Sequence, residues 1–558
     1  MGPISPFHAR LCSALNWICK ILASIDMKYF NDINSFCGKV SLALLLAVVS
    51  VGNFSCKKIE DVKSTRLATE ESNWKTLEDA RANLLSVYGL MRSATVADNT
   101  HWLMGDLRQG DFAITNRADL KAIVAGELNA QYPVINRLSN WRRFYAVVNA
   151  ASLFIERSKQ IIPLDSRYTQ INNNVDVAQA RVVRAFAYFY MVRIWGDVPL
   201  LTSSHDGDFL KVPRTSKEKV LQFATSEILS ALQVMPFKYG GNDPILPGLY
   251  YGGNWGTWQG SLFTRLSAYI ILAHIAAWQG NYLDAANYAE FVTNNYTRSG
   301  GDGANSIVYL EMDALTENLN YYSPFAFKRP TVMVGFPFEA GTGLSTANGH
   351  IEQLTLASPF IPKAQPEMFV TKDSILKIFT DPKDLRFSVN PINGLYRANY
   401  FTNFTSEQPI FSKIKVIYTA ETSGNLTLFS STMLFSRLEE ITLLKAEAFA
   451  VLGKRDKAIE ALNRAANLRG TTPYDPGSTK DLVDAVFEER RRELMGEGSR
   501  WYDIVRYNRI KNPSGTFVRK NGVPLTFRQF EQAGGIYWPV SQDVINANSL
   551  ITPNPYWQ

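Results

Sequence analysis

Cysteine is scarce in this sequence and is confined to its beginning. The 558 residues contain four cysteines, Cys12, Cys19, Cys37 and Cys56, and none follows Cys56. The long remainder of the chain therefore has neither a disulfide nor a thiolate metal site, and its stability must come from burial. A composition of 46% hydrophobic and 12% aromatic residues over such a length is sufficient for a large globular core.

Other signals are absent as well. Only His101, His205, His274 and His350 follow Cys56, and they are scattered; His274 lies in a predicted helix, where a packed histidine is expected. The chain has no His-Glu-x-x-His zinc motif, no Gly-x-Ser-x-Gly elbow, no phosphate loop and no dinucleotide-binding glycine pattern. The net charge is +7, but no basic tract is dense enough for nucleic acid. After residue 52 no apolar run reaches the roughly 18 residues of a spanning helix.

The most informative sequence feature is Cys56, which follows the apolar run 40–52 and is preceded by the small residue Ser55. With the positive segment 27–39 before it, this run resembles the signal peptide of a lipoprotein, too short to span a bilayer. We therefore predict that Cys56 carries a lipid anchor. An ordinary cleaved signal peptide with a free thiol, or a misassigned start, is the alternative.

The residues around the predicted cleavage site divide the first part of the chain. Residues 1–55 are expected to be an over-extended start, up to residue 26, followed by the signal peptide. Residues 56–70 then form a lipidated tether, and the segment Lys57-Lys58-Ile59-Glu60-Asp61 is similar to signals that send lipoproteins to the cell surface. Residues 71–558 are predicted to form one domain.

Amphipathic helices dominate that domain, and two helical hairpins share a spacing. Alanine, glycine and alanine recur with offsets of seven and five residues, which lets paired helices approach closely and gives the turn to glycine, as in a tetratricopeptide hairpin. A helical scaffold is therefore predicted over about 71–295 and 434–510, with a loop-rich insertion containing short strands over about 296–433 and a C-terminal segment over 511–558. The residues with this shared spacing are Ala273, Gly280 and Ala285 in the first hairpin, and Ala446, Gly453 and Ala458 in the second.

Four blocks of the sequence resemble the SusD/RagB family of outer-membrane lipoproteins from Bacteroidetes. They occur in the family's order and, with the leader, span nearly the whole chain, although Glu439 is offset from the commonest family pattern. The blocks are 181–200 (RVVRAFAYFYMVRIWGDVPL), 437–448 (RLEEITLLKAEA), 487–506 (FEERRRELMGEGSRWYDIVR) and 538–556 (WPVSQDVINANSLITPNPY).

The resemblance implies a mainly α SusD-like fold with four tetratricopeptide-like helix pairs packed against an irregular, loop-rich lobe with short strands. It implies a cell-surface protein, lipid-anchored in the outer membrane and facing the exterior, that captures glycans and delivers them to a SusC-like TonB-dependent transporter. No catalytic residue and no cofactor are implied.

The family signatures are not expected to be the ligand site. Opposite charges at i,i+3 and i,i+4 spacing in 488–493 favour solvated or inter-helix ion pairs over catalysis. In the block 181–200, a buried Trp195 and a capping contact from Asp197 are the expected roles.

Glycan binding needs aromatic faces for sugar rings, together with carboxylates, amides and guanidinium groups for their hydroxyls. Loops are expected to supply them, although a loop tryptophan in so aromatic a chain often packs inside, and Tyr250, Tyr251 and Trp255 could simply cover the following helix. The predicted ligand-binding residues are Trp102, Asp106, Arg108 and Asp111 after the first helix, and Trp255, Trp258, Tyr321 and Tyr322 in later loops.

Three alternatives stay open from the sequence. Asp106 and Asp111 could act as the paired carboxylates of a glycosidase, although no other feature favours hydrolysis. The cargo could be a peptide instead of a glycan, captured by the lid of the same kind of transporter. The helical pairs could also serve as a pure interaction scaffold. Asp98, Asp106 and Asp111 do not follow an EF-hand spacing, so no metal is assigned.

Overall fold

The computed structural model describes residues 73–207, 210–301, 305–317, 322–326, 328–338, 346–418 and 427–558. The predicted lipid anchor at Cys56 and the candidate Tyr321 lie outside these residues. Residues Trp74–Gln558 form one compact unit. Within the described residues no helix is both long and apolar enough to cross a membrane.

Helices make up most of this unit, as the sequence predicts. In chain order the α-helices are α1 (Leu77–Val96), α2 (Thr100–Trp102), α3 (Ala118–Ala125), α4 (Pro133–Leu138), α5 (Arg142–Arg157), α6 (Gln170–Trp195), α7 (Lys217–Leu232), α8 (Trp255–Trp258), α9 (Arg265–Gln279), α10 (Tyr282–Asn295), α11 (Met312–Thr316), α12 (Ile351–Thr355), α13 (Lys372–Ile378), α14 (Leu438–Val451), α15 (Arg455–Leu468), α16 (Leu482–Glu493), α17 (Arg500–Lys511), α18 (Phe527–Gln532) and α19 (Gln542–Ala547). Short 3-10 turns occur at Ala97–Asn99, Ser158–Ile161, Tyr296–Ser299 and Pro555–Trp557, and a π turn at Leu103–Leu107.

Eight of the longer helices in the described residues pack as four pairs: α1 with α5, α6 with α7, α9 with α10, and α14 with α15. Successive pairs also contact one another, through α5 and α6, α7 and α9, and α10 and α14. Helix α6 lies at the centre and is buried on all sides from Ala178 onwards, apart from partly covered Arg181. The mainly α architecture is thereby confirmed.

The two predicted hairpin turns are confirmed. Gly280 ends α9 with φ +80°, and Gly453 follows α14 with φ +69°, both in the left-handed region that glycine tolerates best. The alanines on either side of each turn, which are Ala273, Ala285, Ala446 and Ala458, have no exposed surface. Their small side chains let the paired helices approach closely.

Short strands lie at 113–114, within 334–436 and within 516–526, and most of them fall in or next to the segment 296–433. They are β1 (Ala113–Ile114), β2 (Val334–Phe336), β3 (Met368–Phe369), β4 (Phe401–Thr402), β5 (Ile410–Phe411), β6 (Ile417–Tyr418), β7 (Leu428–Phe429), β8 (Met433–Ser436), β9 (Thr516–Lys520) and β10 (Val523–Thr526). Among the described residues they pair only two by two and antiparallel, as β1–β3, β2–β8, β4–β5, β6–β7 and β9–β10.

Candidate functional site

The early candidates lie on one segment, Trp102–Asp111, which docks against the turn 497–500 of the third family block. The N–H of Gly498 donates to Oδ2 of Asp106 at 2.6 Å, and the N–H of Arg500 lies 3.5 Å from Oδ1. The backbones nearly touch, since a Cβ atom on Gly105 would lie 2.0 Å from the carbonyl oxygen of Gly498. This segment therefore fastens the N-terminal helices to the C-terminal part of the domain.

Trp102 and Arg108 lie in the interior. Trp102 is 2% exposed and Arg108 1% exposed. The guanidinium of Arg108 donates to the carbonyl of Ile536 at 2.8 Å and to that of Gly535, and it lies 4.1 Å from the ring centre of Trp501. The sequence predicts these side chains in a ligand site, but neither presents a face to solvent in the structure, and their contacts give them a structural role.

The carboxylates of Asp106 and Asp111 have no room for a sugar between them. Burial raises the pKa of Asp106 to about 7, while Asp111 pairs with Arg491 at 3.0 Å and lies 3.5 Å from Arg500. The cavity that both carboxylates line measures about 10 Å³, the space of a single water. The geometry therefore does not support the glycosidase alternative at this pair.

Trp258 is also packed inside. It is 6% exposed, and its indole N–H donates to the carbonyl of Tyr250 at 2.9 Å. The hydroxyl groups of Tyr250 and Tyr251 donate to Asp176, that of Tyr251 at 2.6 Å. Burial raises the pKa of Asp176 to about 6, against the opposing effect of these phenol hydrogen bonds. Trp258 thus covers a buried polar cluster rather than a ligand.

Trp255 and Tyr322 are the described candidates from the later loops that keep partly exposed rings. Trp255 opens α8 and lines a narrow cleft of about 30 Å³ with Lys238, Gln259 and the segment 330–333. The carbonyl of Tyr322 accepts a hydrogen bond from Thr331 at 3.0 Å, so both residues adjoin that segment. Their role in ligand binding stays a prediction.

Glu489, Arg490 and Glu493 form buried ion pairs, whereas Glu488 stays exposed and pairs with Lys480. Glu493 pairs with Arg469 at 2.8 Å and with Arg437 at 2.9 Å, and all three side chains are fully buried. Burial alone would raise the pKa of Glu493, but the two guanidinium groups hold it well below its usual range. The solvated alternative is wrong for Glu489, Arg490 and Glu493, which are at most 2% exposed.

The first family block also has the expected contacts. Trp195 is fully buried at the end of α6. Oδ1 of Asp197 accepts a hydrogen bond at 2.9 Å from the N–H of Lys217, the first residue of α7. This carboxylate therefore caps α7 at its positive end.

No group of three or more histidine, cysteine, aspartate or glutamate side chains suited to a metal occurs among the described residues. Asp98, considered above for calcium, pairs instead with Arg137 at 2.8 Å and with Arg143 at 2.7 Å.

Sequence reasoning missed a cleft of about 580 Å³ between α4 and the C-terminal segment. It joins residues 128–139 to residues 539–557, which are 400 residues apart, so no local pattern reveals it.

Comparisons with known proteins agree with this architecture. The SusD family model matches residues 397–557. The SusD-like protein P38 of Formosa agariphila is 24% identical over 533 residues, covering 88% of this chain and 96% of that protein. The solved structure of B. fragilis NanU shares the fold, at 16% identity and a TM-score of 0.65, covering 88% of this chain and 99% of NanU.

A closer likeness is to a SusD superfamily protein from Bacteroides thetaiotaomicron, whose crystal structure is 43% identical to this chain with a TM-score of 0.76. The match covers 87% of this chain and 99% of that protein. With this identity over nearly the whole of the relative, the chain belongs to the SusD family, whose members generally bind nutrients.

Proposed function

We propose that this protein is a cell-surface lipoprotein that captures glycans and delivers them to a SusC-like TonB-dependent transporter in the outer membrane. The observation that carries the proposal is the 43% identity to a SusD superfamily protein across nearly its whole length. Capture without chemistry fits the surroundings of the two carboxylates, since Asp106 is buried against backbone N–H groups and Asp111 is paired with Arg491.

The sequence around Cys56 supports the place of action. A lipid on Cys56 would hold the domain at the membrane through the tether 56–70, and the basic and acidic residues after Cys56 favour the outer surface. There the protein meets glycans too large to diffuse into the cell, which is where a capture protein is useful.

Trp255 and Tyr322, together with Tyr321, are proposed as an aromatic platform. A half-exposed indole or phenol ring provides a flat apolar face for a sugar ring at low conformational cost. Lys238 and Gln259 lie beside Trp255 and supply donors and an acceptor for hydroxyl groups.

The test is calorimetric titration of residues 57–558 with a panel of oligosaccharides and polysaccharides. Saturable binding without release of reducing ends is expected, and Trp255→Ala should weaken it at least tenfold if the platform is correctly placed. Tyr396→Ala is the matched control, since Tyr396 is 42% exposed on a different loop. Trp258→Ala is unsuitable because its buried ring supports the fold.

Absence of binding to every saccharide of the panel would overturn the proposal of glycan capture. Binding of peptides in the same assay would then favour the peptide-capturing alternative, and recovery of the chain without a β-barrel partner after mild detergent extraction would argue against delivery to a transporter.

A further inference from the structure

The cleft between α4 and the C-terminal segment, hereafter the α4–α19 cleft, has the volume of a small-molecule site. Its 580 Å³ falls within the roughly 300–1,000 Å³ usual for ligand pockets. Two contacts hold its walls together: the N–H of Ser541 donates to the carbonyl of Ser139 at 3.0 Å, and the amide of Asn136 lies 3.3 Å from Asp543. The lining comes from residues 128–139 on one side and residues 539–557 on the other.

Two buried hydroxyl groups in this lining have no hydrogen-bond partner. Ser139 is 3% and Ser541 4% exposed, and the Oγ atom of each has no donor or acceptor within the part of the chain that the structure describes. Ser541 stands at the N-cap of α19, where serine normally accepts from the first turn, yet its side chain makes no capping bond. Leaving a buried hydroxyl unpaired is costly, so both groups gain when an occupant offers them a partner.

Both serines line the cleft, and serine side chains occupy three staggered χ1 rotamers. Pairing with an occupant requires that a change of χ1 rotamer bring each Oγ atom within reach of it. The two serines would then offer a ligand hydroxyl a donor or an acceptor at two positions.

The walls add flat rings and amides. Tyr132 and Trp557 are half-buried, and the indole of Trp557 is fixed by a hydrogen bond to the carbonyl of Tyr537 at 2.9 Å. The side chains of Asn129, Gln131 and Gln542 lie on the exposed rim. Amides both donate and accept, which is the pairing that a hydroxyl group requires.

Charge narrows the class of ligand. Among the described residues, Asp543 is the only charged residue in the lining, and no lysine or arginine lines the cleft. A carboxylated or sulfated ligand would find no cation there and would meet Asp543 instead. The lining matches an uncharged molecule rich in hydroxyl groups with apolar ring faces.

We propose that the α4–α19 cleft is a binding site for neutral oligosaccharides, with Tyr132 and Trp557 as stacking rings and Ser139 and Ser541 as hydroxyl partners at its floor. The proposal rests on the proposed function, to which it adds a second site separate from Trp255 and a preference for uncharged sugars.

The experiment titrates residues 57–558 with maltohexaose, cellohexaose, mannohexaose and xylohexaose, and with oligogalacturonate of matched length. A neutral oligosaccharide should bind and oligogalacturonate should not. Tyr132→Ala should lower the affinity for the neutral oligosaccharide at least tenfold, because a stacking face is lost. Ser139→Ala and Ser541→Ala should each weaken it about threefold to tenfold.

Thermal unfolding of the same variants separates binding from folding. Removing an unpartnered buried hydroxyl should leave the Tm unchanged or raise it, whereas a purely structural serine would lower it. Tyr396→Ala is the control for loss of an exposed tyrosine, and Trp255→Ala reports the other proposed platform.

The outcomes are distinct. Wild-type affinity in Tyr132→Ala and both serine variants, with a neutral oligosaccharide still bound, would overturn this site and leave the proposed function standing. Absence of binding by the wild-type protein to every saccharide would overturn both. Equal binding of oligogalacturonate would overturn the preference for uncharged sugars.

Discussion

Arg469 and Glu493 form a two-pronged ion pair in the interior of the domain, with Nε to Oε2 and Nη2 to Oε1 both at 2.8 Å and no exposed surface on either side chain. The pair joins the end of α15 to the end of α16. Arg437 and Arg386 approach the same carboxylate at 2.9 and 3.1 Å, so Glu493 lies at the centre of three arginines.

Breaking this pair should destabilise the protein strongly. Arg469→Met leaves part of the Glu493 charge without its partner, and loss of one member of a buried pair costs about 3–5 kcal/mol. Urea denaturation followed by circular dichroism measures the effect. Arg167→Met, which removes an arginine from an exposed pair with Glu78, should leave the urea midpoint close to wild type. A small effect of Arg469→Met would contradict a structural role for the network.

The buried Asp106 should make stability depend on pH. Burial raises its pKa from 3.8 to about 7. Between these values the folded protein holds a proton that the unfolded chain has released, so this group lowers the free energy of unfolding as pH rises from about 4 to about 7. Asp106→Asn removes this pH dependence. The free energy of unfolding of the variant minus that of wild type should therefore be larger at pH 8 than at pH 4, by up to about 4 kcal/mol. A difference from wild type that is constant from pH 4 to pH 8 in urea titrations would refute this.

Two glycines without steric neighbours should respond to alanine in opposite directions. A Cβ atom at Gly89 or Gly280 would meet no other heavy atom within 4 Å. Gly89 lies inside α1, where alanine is favoured by about 0.5–1 kcal/mol. Gly280 has φ +80°, where alanine costs about 1–2 kcal/mol. Thermal unfolding should therefore show a higher Tm for Gly89→Ala and a lower one for Gly280→Ala; shifts of the same sign would show that packing, not backbone conformation, decides.

Lipidation should depend on Cys56 alone. Cells expressing the full chain with Cys56→Ser should show no labelling of the protein by an alkyne fatty acid and should release it into the soluble fraction. Cys37→Ser is the matched control, because Cys37 lies in the predicted leader, and it should be labelled as wild type. Membrane retention of Cys56→Ser would overturn the proposed anchor.

The helical hairpins could be predicted from sequence because their determinants are local. Gly280 and Gly453 lie within a dozen residues of the alanines that pack beside them, so spacing alone reveals the turn. The burial of Trp102, Asp106 and Arg108 could not be predicted in this way. The partner of Asp106 is 392 residues away, and only the folded chain shows that this loop is covered.

The same reason explains the missed cleft. Tyr132 and Trp557 line one cavity but stand more than four hundred residues apart, and neither has a neighbouring motif that marks it. Aromatic content alone predicted a ligand platform but could not distinguish the buried Trp258 from the half-exposed Trp255, three residues earlier in the same short helix.

Because the backbones of Gly105 and Gly498 are in close contact, stable packing of the N-terminal helices depends on the last tenth of the chain. A fragment that stops before residue 498 lacks the amide that hydrogen-bonds to Asp106 and the carbonyls that hold Arg108. The early helices of such a fragment should therefore pack less stably than those of the whole chain, and open states of this kind are the ones that proteases cleave.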